Sequence, residues 1–360
     1  MSDDKHPHSG MKGRIMPSDT SNHNADQLDL KSMTPWLSSH IAGFEGPVTV
    51  SKFAGGQSNP TFKLSTPNGD YVLRRKPMGP VLPSAHAVDR EYRVIAALAK
   101  TDVPVPQVYA LCTDESVIGS IFYVMEMVEG RVFWDPRLND QSKADRTAIY
   151  DSMNQTIAAI HSVDPDSVGL SDFGRSENYL QRQVGLWTKQ YQASITVENE
   201  AMDNIIRWLP NNVPDDELTS IVHGDYRLDN VLMHPARPHA VAVLDWELST
   251  IGNPLADLAY HMMAWRFAPT MFRGLAGVDL AALGIPDEQT YLAAYFDRTG
   301  LTMPDDWDFY IILSMFRIAA ILQGVAKRAE AGNAADAQAK QIGAMAGPIA
   351  QQAWALVQSR

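Results

Sequence analysis

Residues 221–234 read IVHGDYRLDNVLMH, a polar loop held between two short apolar runs. Asp225 follows the first run and Asn230 precedes the second, so a loop leaving one strand and entering the next can point both side chains into one cleft. A further apolar run, HAVAVL, ends in Asp245. Carboxylate and amide oxygens suit a hard cation such as magnesium. The pattern therefore predicts an oxygen-ligand cluster made by Asp225, Asn230 and Asp245.

A glycine-rich turn near the N-terminus could complete such a cluster. Magnesium usually binds through one or two carboxylates plus substrate phosphates, so the cluster would suit phosphoryl transfer beside a phosphate-binding loop. In GGQSN the missing side chains let backbone N–H groups approach phosphate oxygens. An ordinary tight turn has the same pattern, so the turn alone is a weak signal. The candidate phosphate-binding residues are Gly55, Gly56, Gln57, Ser58 and Asn59.

The chain around this turn has a strand-like texture. Short β-type runs over residues 47–76, with the hairpin signal Asn68-Gly69 between two of them, predict an antiparallel meander of three strands. SAHAVDREYRVIAALAK then has the apolar rhythm of an amphipathic helix, with Ser84 as its N-cap. VPVPQVYALC and SVIGSIFYVMEMVEG add two strands. Residues 31–127 are therefore predicted to form a small β-rich N-lobe.

Beyond Gly130 the texture becomes mainly helical. WDFYIILSMFRIAAILQGVAKRAE is apolar nearly all round, which predicts a helix buried in the middle of this region. Only TSIVHGD, NVLMH and HAVAVLDWE have β character there. Residues 128–360 are therefore predicted to form a larger helical C-lobe, and the fold class is α+β with two lobes. Helices are predicted over residues 141–161, 176–195, 198–209, 254–267, 287–298, 305–331 and 335–357.

Composition limits the classes of partner. The 360 residues carry a formal net charge of -12, which offers no broad basic surface for a nucleic acid backbone. The single cysteine, Cys112, excludes an intrachain disulfide and fits a reducing compartment. Residues 1–30 are polar and lack periodicity, so they are predicted to be a disordered tail. With no signal-like run and no long uncharged apolar run, we expect a cytoplasmic protein that does not bind a membrane.

Several motifs occur together in an order that resembles a known family. HGDYRLDN resembles the catalytic loop of the aminoglycoside phosphotransferase and choline kinase group, in which His-Gly-Asp is followed by four residues and Asn. LDWE resembles the metal-binding strand end of that group. FAGGQSNPTFKL, YVLRRKP and HAVDREYRVIAAL make the chain most similar to the phosphotransferase domains fused or adjacent to acyl-CoA dehydrogenases. The resemblance covers nearly everything from about residue 31 onward.

This resemblance implies a protein-kinase-like fold that holds ATP between a β-rich lobe and a helical lobe. Asp225 would be the catalytic base that accepts the proton of the acceptor hydroxyl, and Asn230 and Asp245 would hold Mg²⁺. The crossover between the lobes would fall at Glu126 and Met127. Their backbone groups would hydrogen-bond the adenine.

The resemblance also assigns a phosphate-binding cation in the N-lobe. Arg74 would occupy the place of the protein-kinase lysine, as in choline kinases, and Glu91 would be its ion-pair partner. Arg75 and Lys76 compete with Arg74 for this role. A surface ion pair worth under about 1 kcal/mol is the alternative interpretation of Arg74 and Glu91.

Other polar residues near the loop are given structural roles. His223 is predicted to brace the loop through hydrogen bonds rather than to transfer protons. Arg227 and Asp229 are predicted to point away or to pair with each other. Asp257, near a helix start, is predicted to anchor that helix to the catalytic loop.

The resulting prediction is an ATP-dependent phosphotransferase acting on a small hydroxylated molecule. The resemblance to domains linked with acyl-CoA dehydrogenases favours a hydroxy acid or hydroxyacyl-CoA acceptor and a link to acyl-CoA metabolism. An aminoglycoside 3'-type kinase is the first alternative, because an acidic protein attracts polycations. A metal-dependent phosphoesterase and an inactive nucleotide-binding module are the others.

Overall fold

The N-terminal lobe is built on an antiparallel sheet with strand order β1-β2-β3-β5-β4. The structure is a computed structural model that describes residues 28–53, 59–78, 87–215, 218–330 and 337–360. The three-strand meander predicted from the sequence is present, and β2 and β3 join at the predicted Asn68-Gly69 turn. The strands are β1 Thr49–Lys52, β2 Thr61–Thr66, β3 Gly69–Arg75, β4 Val108–Cys112 and β5 Phe122–Glu126.

One helix covers each face of this sheet. Helix α1, Leu30–His40, packs Met33 and Leu37 on one face, and α2, Val88–Leu98, packs its apolar side on the other. Because side chains alternate along a strand, Leu73 faces α1 whereas Val72 faces α2. The same alternation carries Arg74 to the α2 side of the sheet.

The C-terminal lobe is mainly helical, as predicted. Helix α9 lies in its middle and packs against α4, α6, α10 and α11. It is long and apolar enough to cross a membrane by length and composition, yet 67% of its most apolar window is buried inside the protein, as for a core helix. The helices of the C-terminal lobe are α3 Lys143–His161, α4 Tyr179–Ser194, α5 Glu200–Trp208, α6 Pro254–Met262, α7 Leu280–Leu283, α8 Glu288–Thr299, α9 Trp307–Glu330, α10 Ala337–Ala344 and α11 Ala346–Gln358.

Four short strands lie between α5 and α6 and form two antiparallel pairs. β6, Ser220–Val222, pairs with β9, Thr250–Gly252, and β7, Val231–Met233, pairs with β8, Ala240–Val243. The loop from β6 to β7 and the end of β8 therefore meet in one place. This places the polar residues of IVHGDYRLDNVLMH beside Asp245.

The structure adds helices α1 and α7 and strand β9, which the sequence did not predict. Helix α1 contains Pro35 and begins at an Asp29 cap, and α7 and β9 have only four and three residues, so none of the three gives a strong periodic signal. The predicted tail falls almost entirely outside the described residues, and so does the predicted N-cap Ser84. The division of the chain at residues 127 and 128 remains a prediction, although the sheet ends at Glu126 and the helices of the larger lobe follow it.

Candidate active site

A sharp turn presents Asp225 at the end of β6. Gly224 has φ +83, and a Cβ at that position would lie 2.6 Å from the carbonyl oxygen of Leu248. Left-handed backbone and a close neighbouring chain both require glycine here. The turn brings Asp225 out of the buried strand so that its side chain, 17% exposed, reaches the cleft.

The carboxylate of Asp225 is held by two neighbouring side chains. Asn230 Nδ2 donates to Asp225 Oδ2 at 3.0 Å and to the Asp225 carbonyl at 2.8 Å. Arg227 places Nε 3.1 Å from Oδ1 and Nη2 3.2 Å from Oδ2. The Tyr260 ring lies nearby, and burial together with the charge of Asp225 raises the pKa of its hydroxyl group. These contacts therefore fix the orientation of the Asp225 carboxylate.

The backbone before Asp225 is anchored by helix α6. Asp257 accepts the backbone N–H groups of His223 and Gly224, both at 2.8 Å, and it lies 3.2 Å from His161 Nε2. Burial opposes ionisation, but these hydrogen bonds hold the pKa of Asp257 below its usual value. The predicted anchoring role of Asp257 is confirmed by these contacts.

His223 braces the loop as predicted. Its Nε2 lies 2.9 Å from the Leu244 carbonyl, and its Nδ1 accepts the Asp225 N–H at 3.2 Å. Because Leu244 precedes Asp245, this ring connects the two polar segments. The N–H of Leu244 also donates to the Asn230 carbonyl at 2.8 Å.

Asn230 and Asp245 fit the donor set expected for magnesium. Asp245 stands at φ +66 two residues after the end of β8, which turns it out of the strand pair. Asn230 uses Nδ2 toward Asp225, so its Oδ1 is the atom left for a cation. Among the described residues no group of three or more His, Cys, Asp or Glu could hold a metal ion by itself. A site of two protein oxygens completed by phosphates is the arrangement that magnesium commonly uses.

Arg74 forms a buried ion pair within the N-terminal lobe and a second, partly exposed ion pair with the C-terminal lobe. Its Nε lies 2.8 Å from Glu91 Oε2, and its Nη2 lies 2.6 Å from Asp245 Oδ1. The side chains of Arg74 and Glu91 are 11% and 1% exposed, so this is no surface pair. Although burial opposes it, the carboxylates, Glu91 first, hold the pKa of Arg74 above its usual value. The predicted pairing of Arg74 with Glu91 is confirmed.

The competing Arg75 lies on the opposite face of the sheet. Its guanidinium stands 5.7 Å from the centroid of the Phe62 ring and donates to the Lys76 carbonyl at 3.2 Å. Strand alternation thus selects Arg74 over Arg75 as the arginine at the cleft. That Arg74 binds phosphate stays a prediction.

Asn59 is the part of the glycine-rich turn that the structure describes. It is buried, and its Nδ2 donates to Glu247 Oε2 at 3.4 Å. Glu247 also lies 3.8 Å from Arg74 Nη2, so it joins the cleft cluster from the strand end LDWE. The predicted phosphate-binding residues Gly55, Gly56, Gln57 and Ser58 lie outside the described residues.

Glu126 and Met127 lie where the sheet gives way to the second lobe. The Glu126 N–H donates to the Gln107 carbonyl at 2.8 Å, so this donor is engaged within the lobe. Met127 packs against the main hydrophobic core. The predicted adenine contact therefore rests on the remaining backbone groups at these two positions.

The sequence analysis gave no functional role to some residues that the structure places near Asp225 and Asp245. Arg227 does pair with Asp229, at 3.5 Å, but it also holds Asp225, so its role is more than structural. Glu247 could have been found from its place two positions after Asp245. No local signal indicates Tyr260, which only the packing of α6 brings to Asp225.

This fold and this cluster define a protein-kinase-like phosphotransferase. The chain belongs to the phosphotransferase enzyme family, whose profile matches residues 49–310. A Ralstonia eutropha protein assigned provisionally to the aminoglycoside phosphotransferases is 53% identical, with a TM-score of 0.86 over 92% of this chain and 99% of that one. Choline kinase from Cryptosporidium parvum shares the fold at 12% identity, with a TM-score of 0.65 over 92% of this chain and 96% of that one.

A curated relative from Mus musculus, acyl-CoA dehydrogenase family member 10, is 46% identical over 312 residues. The match covers 86% of this chain and 29% of the relative. The chain therefore corresponds to a minor part of that longer protein.

Proposed function

We propose that this protein transfers the γ-phosphate of ATP to the hydroxyl group of a small molecule, with a hydroxy acid or hydroxyacyl-CoA as acceptor. The observation that carries the proposal is the convergence of Asp225, Asn230 and Asp245 with the Arg74–Glu91 pair in one interlobe cleft. Membership of the phosphotransferase family supports the same reaction class.

Each cleft residue has a stated part in this proposal. Asp225 accepts the proton of the acceptor hydroxyl, and Arg227 and Asn230 keep its carboxylate aimed at that proton. Arg74 binds phosphate oxygens through its fixed fork while Glu91 holds its position. Asn230 and Asp245 hold Mg²⁺, which when bound neutralises the charge of the phosphates.

The acceptor is proposed from the charge around the catalytic loop. An open groove runs between α4 and α9, and Leu248, which packs on Gly224, forms its end at the loop. The described residues that line it include three cations, Lys189, Lys327 and Arg328, and no carboxylate. Such a groove favours an acceptor that carries anionic groups, as a coenzyme A thioester does.

A second cavity beside the loop supports the same preference. It is small and lined mainly by apolar and aromatic side chains, including Trp134 and Trp265. Its one lining carboxylate, Asp229, lies 2.6 Å from Arg273 Nη1 and is thereby neutralised. Among the described residues that line the two cavities, none offers a free carboxylate of the kind that a polycationic acceptor would need. The name of the mouse relative points to acyl-CoA chemistry as well.

An aminoglycoside kinase is the second candidate. It is favoured by the provisional assignment of the Ralstonia eutropha protein, which matches nearly the whole described fold. The two candidates share every cleft residue named above and differ only in the acceptor. The acceptor therefore has to be identified by experiment.

The test is a screen of ADP formation from ATP over hydroxyacyl-CoA thioesters, the free hydroxy acids, aminoglycosides, choline and sugars. We expect turnover with a hydroxyacyl compound, and Asp225→Asn should lower it by roughly 10²- to 10⁴-fold. A phosphorylated product, identified by mass, distinguishes transfer from simple hydrolysis. Transfer to aminoglycosides alone would overturn the acceptor proposal, and unchanged turnover in Asp225→Asn would remove this residue from the mechanism.

A further inference from the structure

Arg317 is a charged residue in the apolar middle of helix α9. Its guanidinium carbon lies 4.6 Å from the centroid of the Tyr260 ring and 5.1 Å from that of the Trp187 ring. Two aromatic rings stabilise a cation and restrict its position. A charged side chain is rarely placed in such a helix without a partner that requires it.

That partner is the peptide that carries the catalytic aspartate. Arg317 Nη2 donates to the carbonyl oxygen of Gly224. The N–H at the other side of the same peptide, that of Asp225, donates to His223 Nδ1 at 3.2 Å. Both polar groups of the Gly224–Asp225 peptide are thus bonded, so the peptide plane cannot rotate without breaking one of them. The orientation of this plane sets the direction of the Asp225 side chain.

Arg317 supports the carboxylate by a second route. The Tyr260 ring against which it packs also lies close enough to Asp225 to interact with its charge. Asp257 holds the two preceding N–H groups from the side of α6, whereas Arg317 acts from α9. The two helices therefore hydrogen-bond the backbone of the turn from different directions.

We propose that Arg317 is a positioning residue for phosphoryl transfer, which aligns Asp225 by fixing the Gly224 carbonyl and the Tyr260 ring. This inference rests on the proposed function, because it assigns Asp225 its part in the reaction. It concerns the turnover step and not nucleotide binding, since Arg317 contacts the loop from the C-lobe core.

The test compares Arg317→Met and Arg317→Lys with the wild-type chain, using ADP formation from MgATP with the best acceptor of the screen. Arg317→Met keeps the length of the side chain but removes the donor, and it should lower kcat by about 10- to 100-fold with little change in KM for ATP. Arg317→Lys keeps a donor and should recover part of the loss. Arg207→Met changes an exposed arginine bonded only within α5 and should have no effect.

A double mutant separates positioning from general damage. In an Asp225→Asn background, Arg317→Met should lower kcat by less than about 2-fold, because the effects of substitutions that act through one group are not additive. An equal loss in both backgrounds, or a turnover of Arg317→Met within about 2-fold of wild type, would overturn the inference.

Hydrogen exchange gives a readout that does not depend on activity. The Asp225 amide should exchange faster in Arg317→Met than in wild type, while amides of the sheet in the N-terminal lobe stay unchanged. Unaltered exchange at Asp225 would contradict the inference even if no acceptor is found. A wild-type chain that forms no ADP with any acceptor would instead count against the proposed function.

Discussion

Glu91 is a buried acid that pairs with Arg74. Its side chain is 1% exposed and lies 2.8 Å from Arg74 Nε. Burial raises the pKa of Glu91 from 4.5 to about 7, and the neighbouring Arg74 opposes this rise. The ion pair that holds Arg74 at the cleft therefore exists against a desolvation cost, as is common for buried pairs.

The sign of this shift leads to a prediction for Glu91→Gln. Because the pKa is higher in the folded state, the contribution of Glu91 to stability is fully present below about pH 4.5 and is lost as the pH rises through about 7. Glutamine resembles the protonated acid at every pH. Relative to wild type, the free energy of unfolding of Glu91→Gln should therefore rise by roughly 3 kcal/mol between pH 4.5 and pH 8.

Denaturant unfolding at several pH values measures this difference. A gap between wild type and Glu91→Gln that stays constant over the whole range would show that the pKa of Glu91 is not raised by burial. A gap that grows in favour of wild type would show that the ion pair outweighs desolvation.

At the scale of elements, the N-terminus of α6 holds the catalytic loop. Asn253 caps the helix, and Asp257 in its first turn turns back to the backbone of His223 and Gly224. A carboxylate can accept both N–H groups and the His161 ring together, whereas an amide has only one acceptor oxygen. This contact joins a helix and a turn that are far apart along the chain.

Asp257→Asn should therefore destabilise the protein by roughly 2 to 4 kcal/mol and abolish most turnover, because a buried N–H of the loop loses its acceptor. Asp287→Asn is the matched control. Asp287 caps the exposed N-terminus of α8 by accepting the Thr290 N–H, and asparagine caps a helix equally well. Thermal unfolding of both variants measures the effect, and equal melting temperatures would contradict the anchoring role.

Across the whole molecule, Arg74 and Asn59 join the lobes through Asp245 and Glu247. The Arg74–Asp245 contact of 2.6 Å occupies an oxygen of the residue that we propose as a magnesium ligand. Nucleotide binding must therefore change the partners at this junction. Residues on both lobes take part, so the stability of the whole chain should respond to the nucleotide.

MgATP should raise the melting temperature of the wild-type chain by several degrees, since a ligand at 100 times its Kd adds about 2.7 kcal/mol. Asp245→Ala should lose most of this rise because it lacks the metal ligand that we propose. Asp225→Ala should retain it because the proposed role of Asp225 is at the acceptor. Scanning fluorimetry measures all three, and equal rises in wild type and Asp245→Ala would exclude the metal role.

The sequence by itself determined the features that depend on the residue pattern within a single segment. The β-type runs around β3 and the helical period of α2 were readable, although the pairing of Arg74 with Glu91 came from the family resemblance. The spacing within HGDYRLDN marked Asp225 and Asn230 as residues that could face one cleft. Such signals arise from the geometry of one segment and need no knowledge of the others.

Only the tertiary structure decided which side chains converge from separate segments. Arg317 and Tyr260 lie on α9 and α6, far along the chain from Asp225, and the packing of these helices brings both to the turn. Strand alternation in the assembled sheet also separated Arg74 from Arg75. Contacts between distant segments depend on how whole helices and strands pack, and no periodicity within a single segment encodes that arrangement.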